Sequence, residues 1–129
     1  MGIERGEYAG EGLAGIHDVN GDGKMDHHEL VSGSRLSFLT GRYDIIRCSL
    51  AYSNRPVILV GTHVGMAIGK DGVTQMGLED VSIMRALPNM KVLNPATYTE
   101  AVEVIKYLCN TELDSPHYLR LGRQPIKDV

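Results

Sequence analysis

Residues 56–77 read PVILVGTHVGMAIGKDGVTQMG, an apolar run followed by a glycine-rich loop. The run Pro56–Val60 has the length of a strand, and its unbroken apolar character predicts a strand covered on both faces. The loop Gly61–Gly77 follows that strand directly. Ligands of open α/β sheets bind beyond the carboxyl ends of the strands. The stretch therefore predicts a buried strand whose following loop carries the functional residues.

Helical and strand patterns alternate on both sides of this stretch. Residues 40–52 carry apolar side chains at helical spacing, and Pro56 ends that helix because proline lacks an N–H and restricts the residue before it. Alternating strands and helices with short links predict an α/β fold, a parallel sheet with helices on both faces. The elements predicted after the loop are a helix at 78–87, a strand at 90–93, a helix at 97–109 and a strand at 117–121.

The helix predicted from residue 97 has the clearest pattern in the chain. Thr97 and Glu100 have capping-box spacing, in which each side chain accepts a hydrogen bond from a backbone N–H of the first turn. Val102, Ile105 and Leu108 form an apolar stripe at helical spacing. We therefore expect this stripe to face the sheet.

The first 36 residues differ from the rest of the chain because glycine is dense there. Each glycine weakens a helix by about 1 kcal/mol relative to alanine, so a long helix is not expected in this segment. The sequence predicts two parts, a glycine-rich segment at 1–36 and an α/β domain at 37–129.

Composition narrows the function classes. The 129 residues are 43% hydrophobic and 22% charged, with a formal net charge of −3, values typical of a globular protein with its own core. No basic cluster is present to neutralise phosphates, which argues against binding to nucleic acid or a membrane surface. No apolar stretch reaches the roughly 18–20 residues of a membrane span. Cys48 and Cys109 match no zinc or redox spacing, and a cytoplasmic location is predicted.

Several motifs occur in the order in which one enzyme family has them. The loop GTHVGMAIGKDGVT (61–74) resembles the transketolase signature, whose usual form is G/A-T-H-x-G/S…G-E-D-G-P/A-T-H-Q. The chain thus resembles the pyrimidine-binding domain of transketolase-type, thiamine-diphosphate-dependent enzymes, and the resemblance implies a truncated form of that fold. The other matching stretches are FLTGR (38–42), LEDV (78–81), MRALPNMKV (84–92), NPA (94–96) and YLRLGR (118–123).

The resemblance implies that thiamine diphosphate lies between two chains. A partner holds the diphosphate through Mg²⁺, and this domain holds the aminopyrimidine. The partner that the resemblance implies is a diphosphate-binding transketolase subunit or a second copy in a homodimer. Phe38 is the candidate for stacking on the ring, and Glu4 for the glutamate that hydrogen-bonds a ring nitrogen and favours ylid formation. His63 and Asp71 are expected to contact the hydroxyls of a phosphorylated sugar, and Arg123 its terminal phosphate. Glu4 and His63 are the candidate catalytic residues for two-carbon (ketol) transfer.

Three positions depart from the family pattern. Gln75 replaces a second histidine, and glutamine cannot shuttle a proton. Lys70 replaces an acidic residue, and Arg35 stands where the family has its first stacking aromatic. Two interpretations stay open: half of an active site completed by a partner, or an inherited scaffold without turnover.

Residues 18–29, DVNGDGKMDHHE, match the twelve-residue EF-hand calcium loop. Gly23 occupies the sixth position, where the chain turns sharply, although glycines before the loop interrupt the helix that an EF-hand needs there. The alternative function is therefore calcium binding through a single loop on a catalytically silent α/β scaffold, and the stretch also fits a polar surface loop. The candidate calcium ligands are Asp18, Asn20, Asp22, Lys24 (through its carbonyl), Asp26 and Glu29.

Overall fold

The structure is a computed structural model that describes residues 13–15, 29–33, 42–73 and 76–122. From the second strand onward, strands and helices alternate through these ranges. The strands are β1 (Leu13–Gly15), β2 (Glu29–Gly33), β3 (Val57–Gly61), β4 (Lys91–Leu93) and β5 (His117–Arg120). The helices are α1 (Tyr43–Ile45), which continues as a π-helix (Ile46–Tyr52), a 3-10 helix (Met66–Asp71), α2 (Asp80–Arg85) and α3 (Tyr98–Asn110).

The strands form one sheet in the order β1-β2-β3-β5-β4. β2, β3, β5 and β4 are mutually parallel, and β1 pairs antiparallel with β2 at the edge. β3 therefore lies in the centre of the sheet, which agrees with its apolar sequence. β1 and β2 both precede residue 37, the predicted start of the α/β domain, so the sheet extends into the glycine-rich segment.

β3 is buried from both sides. Successive side chains of a strand point to opposite faces. Val57 and Leu59 pack on one face with residues of the π-helix and α2, whereas Ile58 packs on the other with Leu108 of α3. Helices thus cover both faces of the sheet, and the predicted parallel α/β architecture is confirmed.

The helix predicted at 40–52 is helical from Tyr43, and most of it is π-helical. Its last turn is anchored in the core because Ala51 is completely buried. The Tyr43 hydroxyl donates to the carbonyl of Ile83 at 3.1 Å, which ties this helix to α2. Asn54, with a φ of 48°, then reverses the chain before Pro56.

The predicted cap of α3 is confirmed. Thr97 Oγ1 accepts from the backbone N–H of Glu100 at 3.2 Å, and the Glu100 carboxylate accepts from the N–H of Ala96 at 2.7 Å. The predicted stripe is wrong at one position: Ile105 is 43% exposed, and Val104 packs with buried Leu108 against the sheet instead. None of the helices in the described ranges is long and apolar enough to cross a bilayer.

Candidate functional site

The carboxyl ends of the parallel strands meet at one edge of the sheet, which we call the carboxyl edge. Gly61, the last residue of β3, lies opposite Gly33 at the end of β2 and Arg120 at the end of β5. Leu93, the last residue of β4, lies opposite Leu119. The segments that leave these strands therefore all start from the same edge, the place where α/β sheets bind ligands.

His63 lies two residues beyond β3 on this edge. It is half-buried and has a φ of 61°, a left-handed conformation that costs a non-glycine residue roughly 1–2 kcal/mol. Its Nδ1 lies 3.0 Å from Thr62 Oγ1, which directs the opposite ring nitrogen, Nε2, away from Thr62. Strained backbone of this kind is concentrated at ligand-binding sites.

The loop from β3 to α2, residues 62–79, folds back on itself at its base. Gly65 has a φ of 74°, and its N–H donates to the carbonyl of Gly77 at 3.0 Å. The 3-10 helix that follows is kinked at Gly69, whose φ is 71°, and Gly72 after it has a φ of 85°. Three positive φ values in eight residues explain why this loop is rich in glycine.

A buried polar network lies beneath the loop. Asp80, at the start of α2, is completely buried, and its Oδ2 accepts from the Tyr118 hydroxyl at 2.9 Å and from Arg120 Nε at 2.7 Å. Burial raises the pKa of the Tyr118 phenol, and the charge of Asp80 and its hydrogen bond raise it further. The hydroxyl is therefore protonated and donates to the carboxylate.

Gly61 makes room for this network. A Cβ at Gly61 would lie 2.4 Å from the Tyr118 hydroxyl oxygen, closer than any real contact. Tyr118 is itself completely buried. The glycine at the end of β3 is thus required by the close approach of the tyrosine ring from β5.

Arg120 connects the network to two further segments. Its side chain is 20% exposed, and its two terminal nitrogens lie 3.5 Å from Asn94 Oδ1 after β4 and 3.5 Å from the carbonyl of Gly77. A planar guanidinium with five donors can serve several acceptors at once. Arg120 thus holds three segments of the carboxyl edge together.

Sequence reasoning assigned no role to Asp80, Tyr118 or Arg120, although all three lie in the quoted motifs. The available signal was Arg120 itself, a charged residue in the otherwise apolar stretch YLRL. Charged side chains are almost never buried without a partner, so an arginine in a covered strand implies a carboxylate nearby.

The structure brings two of the predicted site residues onto one loop. His63 is the second residue of the loop, and the backbone of Asp71 ends the 3-10 helix in the middle of it. The exposed Lys70 precedes Asp71. The remaining predicted residues, Glu4, Phe38 and Arg123, lie outside the described residues.

The predicted calcium loop falls almost entirely outside the described residues, since Asp18, Asn20, Asp22, Lys24 and Asp26 are not among them. Glu29, its last ligand, is the first residue of β2 and lies opposite Val57. A strand therefore begins where an EF-hand would begin its second helix. Across the ranges that the structure describes, no three His, Cys, Asp or Glu side chains come together as a metal site would require.

Comparison with known proteins agrees with this geometry. The sequence profile of the family "Transketolase, pyrimidine binding domain" matches residues 28–128. The chain is 40% identical over 93 residues to a protein of Methanocaldococcus jannaschii named as a transketolase C-terminal section, covering 71% of this chain and 29% of that protein. It is 28% identical over 99 residues to one subunit of the apulose-4-phosphate transketolase of Phocaeicola vulgatus, covering 77% of this chain and 31% of that subunit.

Solved structures show the same fold. A split-gene transketolase described as an inactive β4 tetramer superposes with a TM-score of 0.64 at 33% identity, covering 78% of this chain and 31% of that one. A Pichia stipitis transketolase solved with sedoheptulose 7-phosphate superposes with a TM-score of 0.65 at 30% identity, covering 78% of this chain and 14% of that one. The chain thus spans less than a third of the length of these relatives.

Proposed function

The chain belongs to the transketolase pyrimidine-binding domain family, and from this premise we propose that it supplies the aminopyrimidine-binding half of a thiamine-diphosphate site. A partner chain, either a diphosphate-binding subunit or a second copy, completes the site by holding the diphosphate through Mg²⁺. The reaction is two-carbon ketol transfer between phosphorylated sugars. One relative is named as a C-terminal section and another as a transketolase subunit, which supports an enzyme divided over two chains.

The position of the His63 loop is the observation that carries this proposal. The loop leaves the central strand β3 at the carboxyl edge, beside the ends of β5 and β4. A half-buried imidazole there can hydrogen-bond a sugar hydroxyl. Asp71 on the same loop supplies a second contact to the sugar. Arg123, three residues beyond β5, binds the terminal phosphate by charge-assisted hydrogen bonds.

Thiamine diphosphate, when bound, supplies the electron sink that allows the carbon–carbon bond next to a ketose carbonyl to break. Glu4 and Phe38 are the residues of this chain proposed to hold its aminopyrimidine, by a hydrogen bond and by stacking. The register of β2 fits this role for Phe38. Gly33 lies opposite Gly61, so the segment that leads to Phe38 starts at the same edge as the His63 loop.

We propose that the chain does not turn over alone. Gln75 stands where the family has a second histidine, and an amide holds a hydrogen bond but does not transfer a proton at neutral pH. Proton transfer therefore falls to His63, to Glu4 or to groups on the partner.

Reconstitution tests this function. The purified full chain is mixed with a diphosphate-binding transketolase subunit, Mg²⁺ and thiamine diphosphate. Cofactor affinity is measured by calorimetry, and ketol transfer is measured from a phosphorylated ketose to an aldose phosphate. We expect cofactor binding and turnover in the mixture and neither with the chain alone. Turnover by the chain alone would overturn the shared site.

His63→Asn is the informative variant in this mixture. Asparagine tolerates a positive φ, so the backbone is preserved while the imidazole is lost. We expect lower turnover with unchanged cofactor affinity, and Glu103→Gln on the exposed side of α3 is the matched control. If no diphosphate-binding subunit enables the chain to bind cofactor, the chain is instead a scaffold without turnover.

We also propose calcium binding by residues 18–29 as a second function, favoured by the match of every constrained position to the EF-hand loop. Because β2 begins at Glu29, the loop leads into a strand, and the site is a calcium loop outside a helix–loop–helix. A ligand that binds only the folded chain raises its Tm by mass action. We expect calcium, and not magnesium, to raise the Tm, and Glu29→Gln to reduce that rise. Equal Tm values with calcium and with chelator would remove this function.

A further inference from the structure

The loop that carries His63 is fastened to β5 at both of its ends. At its start, the carbonyl of Gly61 accepts from the N–H of Leu121 at 2.8 Å. At its end, Asp80 accepts from Tyr118 and Arg120. Between them, the carbonyl of Gly77 accepts from Gly65 N–H at 3.0 Å and faces the Arg120 guanidinium.

We infer that Asp80 and Arg120 are positioning residues, whose buried ion pair fixes the loop bearing His63 and Asp71 in one conformation. This inference rests on the function proposed above, because it names what holds the sugar-binding loop of that site. Neither residue needs to touch the substrate. The ion pair acts through the loop, and the base of the loop is where it is attached.

The geometry of Asp80 favours positioning over stabilisation. Both donors converge on Oδ2, whereas Oδ1 is buried and accepts no hydrogen bond within the described part of the chain. A buried carboxylate with one oxygen unsatisfied keeps part of its desolvation cost. Buried ion pairs are often matched or exceeded in stability by apolar side chains of similar volume. A carboxylate at this position therefore selects one arrangement of the loop.

The loop needs such a constraint. His63 adopts a left-handed conformation, and Gly65, Gly69 and Gly72 all have positive φ. Glycine has more alternative conformations than any other residue, so this segment gains the most entropy on opening. Val64 and Ile68 of the loop are buried, whereas Met66 is 76% exposed and Val73 is 78% exposed, so core packing holds only part of the loop. Contacts at the base of the loop therefore act together with this packing to fix His63.

Amide hydrogen exchange of the full chain tests this inference without cofactor or partner. The variants are Asp80→Asn and Arg120→Gln, which remove one charge each at similar volume. Asp114→Asn is the control, because it breaks the Lys91–Asp114 ion pair of 2.6 Å at the opposite edge of the sheet. Exchange in residues 62–79 is compared with exchange in α3.

We expect both variants to raise exchange in the loop by about tenfold or more, the factor that follows from losing one charge-assisted hydrogen bond. Exchange in α3 rises as well, because it reports global unfolding, to which the same ion pair contributes. The control is expected to change neither segment. Unchanged loop exchange overturns the inference. A rise in α3 without a rise in the loop overturns it too, because the ion pair would then stabilise the domain without fixing the loop.

Tyr118→Phe covers the case in which an Asp80 variant does not fold, since it removes one donor and leaves the ion pair intact. We expect it to raise loop exchange by a smaller factor. In a reconstituted assembly, Arg120→Lys should raise the KM for the phosphorylated ketose more than it changes cofactor affinity. Equal losses in the two would contradict loop positioning. If the mixture shows no turnover, the proposed function is wrong, and hydrogen exchange alone then decides whether Asp80 and Arg120 fix the loop.

Discussion

The two edges of the sheet each carry an ion pair of nearly the same length. At the carboxyl edge, Arg120 Nε lies 2.7 Å from Asp80, whose side chain is completely buried. At the opposite edge, Lys91 Nζ lies 2.6 Å from Asp114, and these side chains are 49% and 79% exposed. Distance alone would rate the two pairs as equal. Their surroundings give the two pairs different contributions to the free energy of folding and different structural roles.

Water accounts for the difference. An exposed pair exchanges contacts with water for contacts with each other and gains little. A buried pair has no water to replace a missing partner, so losing one member leaves an uncompensated charge. The buried pair of Asp80 and Arg120, whose disruption costs more free energy, lies beneath the predicted substrate loop. The exposed pair links the starts of β4 and β5, where the structure shows no comparable loop among the described residues.

Arg120→Ala should produce the largest loss of stability and test whether the two edges of the sheet differ. Removing the arginine leaves the Asp80 carboxylate buried without its cation, a loss of about 3–5 kcal/mol in the free energy of unfolding. Lys91→Ala at the opposite edge is the matched variant, and we expect a far smaller loss. Urea unfolding followed by circular dichroism measures both. Similar losses for the two variants would remove the distinction between the edges.

Gly61→Ala should produce the next largest effect, and it asks how tightly the carboxyl edge is packed. The added Cβ would lie 2.4 Å from the Tyr118 hydroxyl oxygen, so the ring must shift, at about 1–3 kcal/mol of stability. The measurement is the shift in the urea midpoint.

A double variant identifies the cause of that loss. In Gly61→Ala/Tyr118→Phe the 2.4 Å contact disappears, and the nearest ring atoms lie 3.0 Å away. Gly61→Ala should therefore lower the free energy of unfolding less in the Tyr118→Phe background than in the natural chain. The double variant is then less destabilised than the sum of the two single variants. Equal costs in the two backgrounds would show that the clash does not control this position.

Local signals predicted most of the architecture. The apolar run of β3 and the Thr97 cap of α3 depend on residues close in sequence, and both are confirmed. β2, by contrast, reads ELVSG, a short stretch with glycine and serine that resembles a loop. Its strand conformation depends on pairing with β3, whose partner residues lie 28 positions away in the register Glu29↔Val57. Contacts of that range leave little trace in local periodicity.

The buried network was beyond prediction for the same reason. Asp80 is 38 residues from Tyr118 and 40 from Arg120, so no spacing rule connects them. His63 could be identified because it lies in a recognisable motif beside β3. The sequence thus offered a candidate for substrate contact but no sign of the residues that support its loop.

Acid should abolish the contribution of the exposed pair, the smallest effect of the series. Hydrogen bonds from Lys91 and Ser115 lower the pKa of Asp114 below its usual value of 3.8. A carboxylate whose pKa is lower in the folded state stabilises the fold above pH 3.8, and this contribution is lost as the pH falls through the folded value. The urea midpoints of the natural chain and Asp114→Asn should therefore differ slightly near neutral pH and converge below pH 3.8. Lys91→Gln should behave in the same way, because it removes the other half of the pair. A difference that persists in strong acid would assign the effect of Asp114 to something other than its charge, and the two edges of the sheet would then differ in more than their access to water.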